Sequence, residues 1–112
     1  MHIYIANAFS LQMVEGDAAK ISVSKVSLEH VKVYLFDRWA EVVSAIGHAD
    51  TARIVGSLLK AEWLPADRIN VTLKPGDLLI VAQVTGGRLP EGATELPDGV
   101  SLQFYFVRLE TE

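Results

Sequence analysis

The sequence predicts an α+β domain: one mixed sheet of about five or six strands, flanked by helices. Three observations predict it. Short runs rich in Val, Ile, Phe and Tyr recur along the chain, as strands require. Apolar residues fall at helical spacing between Thr51 and Ala61. Composition is that of a globular chain, with 50% apolar and 21% charged residues among 112. That length fits one domain, 1–112. A domain of this size buries roughly two-thirds of the surface its unfolded chain exposes, so a core forms without staples.

The first strand is Ile3-Tyr4-Ile5-Ala6. Met1 to Ile5 runs straight into it, with neither a basic leader nor a small-residue cleavage site. A second strand is expected from Lys20 to Val26, where Ile21 and Val23 alternate with serines. Ser27 to Phe36 is read as a helix from Leu28, Val31 and Leu35, although Val31, Val33 and Leu35 suit a strand equally well. Glu41 to Ile46 is apolar enough for a further strand. The best helix is Thr51 to Ala61: Ile54, Val55, Leu58 and Leu59 share a face, with Arg53 and Lys60 turned away. Asp50 or Thr51 can cap its start by accepting from free backbone amides. Ile69 to Leu73 alternates apolar and polar residues, and Leu78 to Ala82 is a continuous apolar run. Lys74-Pro75-Gly76-Asp77 between them is turn chemistry, so the two runs predict a hairpin. Thr85 to Gly99 reads as a long glycine- and proline-rich loop, a type that is often functional. The last strand is Leu102 to Leu109.

Several function classes drop out. The chain has no cysteine, which excludes a disulfide framework, a thiolate zinc site, an iron–sulfur cluster and a cysteine nucleophile. A cytoplasmic setting fits best. No apolar run approaches bilayer-crossing length, so no membrane is expected. The formal charge is −4, from ten Lys+Arg against fourteen Asp+Glu. Proteins that grip long nucleic acid do so through many phosphate contacts from a basic surface, which this balance argues against. A small anionic ligand stays open, because one or two arginines and a few backbone amides can hold its phosphates. Neither an H-x-x-x-H pair nor a carboxylate cluster near His48 is present, so no metal and no cofactor are expected.

The chemistry-bearing candidates lie in four places. His48 follows Ala45-Ile46-Gly47, where a strand meets the start of the best helix. Gly47 permits close backbone approach there, and a helix start offers unpaired N–H groups and a positive dipole end. The functional reading is an anion site with an imidazole beside it; the plain reading is a junction histidine bonded to a carbonyl. Protonated, His48 can donate to a departing alkoxide, the demanding half of RNA cleavage by the neighbouring 2′-hydroxyl. The loop motif Arg88-Leu89-Pro90-Glu91 supplies a planar fork for phosphate and a carboxylate that can orient it, or simply two solvated charges. Asn7, Ser10 and Gln12 carry amide and hydroxyl groups that read base edges and ribose, or turn and cap chemistry. Gln83 is a polar residue where a buried strand emerges.

Taken in order, Ile5-Ala6-Asn7-Ala8-Phe9-Ser10, Ser44-Ala45-Ile46-Gly47-His48 with Thr51 opening a helix, Asp67-Arg68-Ile69, Gln83 and Arg88-Leu89-Pro90-Glu91-Gly92 match a family. The sequence resembles, over nearly its full length, the viral and bacterial ring nucleases that act as type III anti-CRISPR proteins. The resemblance implies a homodimer that binds cyclic tetraadenylate in a pocket formed by both subunits. It implies metal-free cleavage to linear di-adenylates by 2′-hydroxyl attack, which switches off the effector nucleases that the messenger activates. It assigns the general acid to His48, with Arg88 and Glu91 beside it. It assigns ring contacts to Asn7, Ser10, Gln12, Gly47, Arg68 and Gln83. Two other classes remain at this stage: a cyclic-oligoadenylate binding or sequestering module without catalysis, and a structural or DNA-binding dimer.

Overall fold

A computed structural model describes residues 2–110. Met1, Thr111 and Glu112, the ends of the expected domain and of the expected leaderless start, lie outside them. Five strands form one sheet: β1 (Ile3–Ala6), β2 (Ile21–Val26), β3 (Val42–Ala45), β4 (Leu78–Thr85) and β5 (Ser101–Leu109). Among the described residues two α-helices accompany them, α1 (Leu28–Leu35) and α2 (Ala49–Leu58). The strand order is β2-β5-β4-β1-β3. β1 runs parallel to both β3 and β4, while β5 is antiparallel to β4 and β2. The expected mixed α+β sheet is therefore the fold. No helix among the described residues is long and apolar enough to cross a membrane.

Alternation along the strands sorts side chains to two faces. Ile3 and Ile5 of β1, Leu78, Ile80 and Ala82 of β4, and Phe104 and Phe106 of β5 pack on one face against the helices. The helices present Val31 and Leu35 from α1 and Ala52 and Val55 from α2, with Leu59 at the C-cap of α2. Ambiguity over Ser27 to Phe36 is resolved by its start: the Ser27 hydroxyl accepts from the His30 amide at 3.0 Å, an N-cap that a strand cannot use. Leu79, Val81 and Val107 face the other way, where irregular chain covers them with Val71, Leu73, Phe9 and Met13.

The expected hairpin is absent. Ile69 to Leu73 is not a strand; it makes one isolated bridge, Leu73 to Val14, with the Leu73 amide donating to the Met13 carbonyl at 2.8 Å. The reason is topological. Both edges of β4 are taken, by β1 and by β5, so no ladder is left for a sequence neighbour. Val71 and Leu73 keep their apolar role by packing on the sheet face instead. The turn itself survives. The Asp77 amide donates to the Lys74 carbonyl at 2.9 Å, and the Asp77 carboxylate accepts from the Lys74 and His2 amides at 3.1 and 3.0 Å. It delivers the chain into β4 beside the start of β1.

Tyr4 stacks on His2 near that turn, ring centroids 5.7 Å apart. Burial, with the Asp77 carboxylate adding to it, holds its hydroxyl above the ordinary tyrosine value of 10.0. The folded chain therefore keeps this proton to higher pH than the unfolded chain does. The resulting stability is complete below the unfolded value and is lost as pH rises through the raised one. Tyr4→Phe should flatten that alkaline loss, read as urea midpoints from about pH 9 to about pH 11.

Candidate functional site

Three parallel strands, β1, β3 and β4, end on one side of the sheet, the side where open α/β sheets bind ligands. The chain leaving each of them contributes to one cleft of about 530 Å³. Asn7 comes from the end of β1, His48 and Thr51 from the passage between β3 and α2, and Gln83 from β4. Gly87 and Arg88 come from the loop 86–100, which joins β4 to β5. Four of the residues singled out in the sequence, Asn7, His48, Gln83 and Arg88, thus meet in one place.

His48 is the N-cap residue of α2, with extended backbone (φ −130°, ψ 123°), and its carbonyl accepts from the Ala52 amide at 3.0 Å. Its side chain makes no capping hydrogen bond, so the imidazole is committed to nothing in the helix. The expectation that Asp50 or Thr51 caps α2 is corrected on this point. Both sit inside the first turn and are buried. The amides of that turn lack intrahelical acceptors, and the dipole of α2 is positive at this end.

Gly47 is held from two sides. Its amide donates to the Asn7 side-chain oxygen at 3.2 Å, and its carbonyl accepts from the Arg68 Nε at 2.9 Å. A Cβ at this position would lie 3.3 Å from Arg68 Cγ, so the absence of a side chain lets the arginine lie across the backbone. Arg68 is brought there by the segment after α2. The Asp67 amide donates to the Ile46 carbonyl at 2.8 Å, and the Ser44 hydroxyl donates to the Pro65 carbonyl at 2.5 Å. Asn7 and Arg68 therefore lock the strand-to-helix junction that presents His48.

The loop 86–100 starts with a constrained glycine. Gly86 has φ +85°, and a Cβ there would be driven into the Gly99 carbonyl oxygen. The two ends of the loop can close on one another only with glycine at this point. Glu91 does not line the cleft that holds Arg88. It lies in an adjoining hollow of about 590 Å³ with Leu89 and Gly92, and His48 borders both spaces. Ser10 and Gln12 lie elsewhere. The Ser10 hydroxyl accepts from the Gln12 amide at 3.3 Å, capping a 3-10 turn (Leu11–Met13). Both residues border a separate hollow with Asn70 and Thr72. Sequence reasoning missed Thr51 as a wall of the cleft and Asp50 as a long-range partner of the loop. Thr51 carried a signal, its place in the first turn beside His48; the Asp50 contact spans 42 residues and carried none.

The fold and the cleft define a small single-sheet α+β domain with a polar site at the carboxyl ends of its parallel strands. Over 96% of its length the chain superimposes on B116 of Sulfolobus turreted icosahedral virus, covering 99% of that chain, with a TM-score of 0.81 and 26% sequence identity. A family model, STIV B116-like, matches residues 3–101. The chain belongs to the STIV B116-like family. No curated protein matches the sequence.

Proposed function

We propose that this protein is a metal-independent ring nuclease: it binds cyclic tetraadenylate across the cleft and cuts it into linear di-adenylates. One observation carries the reading. An uncommitted imidazole, His48, stands at a helix N-terminus in the same cleft as an arginine fork and two side-chain amides. Anion affinity, proton donation and base reading need those groups together.

The chemistry uses the substrate's own nucleophile. A ribose 2′-oxygen attacks the adjacent phosphorus and gives up its proton to water or to Glu91. The phosphorus–O5′ bond breaks, His48 hands its proton to the departing O5′, and a 2′,3′-cyclic phosphate remains. Two such cuts on opposite linkages yield two di-adenylates. Arg88 steadies the phosphate, while Asn7 and Gln83 face bases or ribose. Arg68 acts mainly through Gly47, by holding the junction that aims His48. Fixing the 2′-oxygen in line with phosphorus is a positioning effect that supplies much of the rate.

Size supports a two-copy site. A cleft of about 530 Å³ suits a ligand of drug size, and four nucleotides exceed that. A symmetric ring matches a two-fold dimer in which each copy presents the same groups to opposite linkages. Ser10 and Gln12, apart from His48 within one chain, are then available to a ring that reaches beyond one cleft. The apolar hollow lined by Ala8, Phe9, Val81 and Tyr105 adjoins the cleft through Gln83 and offers the second copy a surface. The setting proposed is the cytoplasm, with no membrane and no long nucleic acid as partner.

The test is direct. Purified protein is incubated with cyclic tri-, tetra- and hexa-adenylate in chelator, and products are followed by chromatography. Di-adenylates from the four-membered ring, cyclic-phosphate-ended at early times, are expected. Tight binding without products would replace the nuclease with a sequestering module. Intact rings and no binding, with duplex DNA retarded in a salt-dependent gel shift, would point to a DNA-binding dimer.

A further inference from the structure

Asp50 is the buried charged residue nearest the cleft that the proposed chemistry leaves unused. Its side chain is 11% exposed and points from the first turn of α2 to the loop 86–100. One carboxylate oxygen accepts from the Gly92 amide at 3.0 Å, and the other from Arg53 Nη1 at 3.2 Å. The same Arg53 nitrogen donates to the Ala93 carbonyl at 3.2 Å. Two successive loop residues are thus tied to one turn of the helix, one through its donor and one through its acceptor. The tie grips the second half of a tight turn in which the Ala93 amide donates to the Pro90 carbonyl at 3.1 Å. Glu91 sits inside that turn, and Arg88 lies two residues before it. A general helix-start charge explains an acidic residue here, but not its burial or its grip on a backbone amide 42 residues away.

We infer that Asp50 and Arg53 are positioning residues: together they latch the loop 86–100 onto α2, and so hold Arg88 and Glu91 at His48. The role in turnover rests on the ring-nuclease reading; the latch itself does not. A loop held only at its ends samples many arrangements, and apparent affinity falls by the fraction that is competent to bind. His48 stays on the helix whatever the loop does. Loss of the latch therefore raises KM and spares kcat.

The experiment compares wild type, Asp50→Ala, Asp50→Asn and Arg53→Ala. Amide exchange at Gly92 is measured by NMR in the free protein, and kcat and KM are measured on cyclic tetraadenylate. In Asp50→Ala, Gly92 should exchange about tenfold faster or more, the loss expected for a bond to a charged acceptor. KM should rise about tenfold with kcat within about threefold of wild type. Asp50→Asn keeps an oxygen for Gly92 and should restore both readouts to within about threefold. Arg53 is 51% exposed, so its alanine variant folds even if Asp50→Ala does not; Gly92 exchange should still quicken by about threefold or more. Unchanged Gly92 exchange in the folded variants overturns the latch, and quickened exchange with unchanged KM overturns its positioning role. A wild type that leaves the ring uncut sinks the nuclease reading alone, since the exchange rates are read without ligand and still decide the latch.

Discussion

Alanine at position 48 is expected to slow ring cleavage by about 10²–10⁴-fold, the range a positioned general acid supplies. Affinity for the intact ring should stay within about threefold, because the proposed mechanism gives the phosphate grip to Arg88 and the helix amides rather than to the imidazole. The expectation follows from where the side chain stands. His48 caps α2 with its backbone only, so truncating it removes no helix-capping bond, and the residue is exposed, so no core cavity is left. Single-turnover rates and equilibrium binding on the same preparation separate the two effects. An Arg88→Ala variant should show the opposite balance, with weaker binding the larger part of its loss. Cleavage by His48→Ala at a rate within about threefold of wild type would remove the imidazole from the chemistry and leave the cleft as a binding site.

How much of this was legible follows from the range of each signal. The junction Gly47-His48 and the helix after it could be read because their causes are local: a glycine, then Ile54 and Val55 at helical spacing. The five strands were legible for the same reason. The segment Ile69 to Leu73 misled because alternation reports a half-buried surface, not a hydrogen-bonded partner. Val71 and Leu73 do sit on the sheet, but the ladders of β4 belong to β1 and β5. Ser10 and Gln12 follow Asn7 closely in sequence, yet a 3-10 turn carries them to a different hollow. Proximity along the chain says little once the backbone has turned. The Asp50 tie to Gly92 had no local trace, since it exists only after α2 and the loop are folded against each other. The long loop itself was visible from its glycines and prolines; the arrangement of Arg88 on one side of His48 and Glu91 on the other was not.

Shortening Ile80 to alanine is expected to destabilise the fold by about 2–5 kcal/mol, a melting drop of roughly ten degrees or more. Ile80 has no exposed surface and lies in the buried first half of the central strand β4. Its register partners are Ile5 on one side and Phe106 on the other, and all three belong to the cluster that receives Val31, Leu35 and Val55 from the helices. Removing its outer carbons opens a cavity beneath both helices at once, where interdigitated side chains relax only partly. Val23→Ala on the edge strand β2, 57% exposed, provides the contrast and should change stability by less than about 0.5 kcal/mol. Urea unfolding of the three proteins, with slopes compared, gives the answer. A loss below about 1 kcal/mol for Ile80→Ala would mean that the helices do not rest on this point of the sheet. The consequence reaches the cleft, because α2 presents His48 while β4 carries Gln83, and the layer around Ile80 is what fixes one against the other. Below its melting range the variant should therefore keep near-normal ring affinity, and above it stability and binding should fail together.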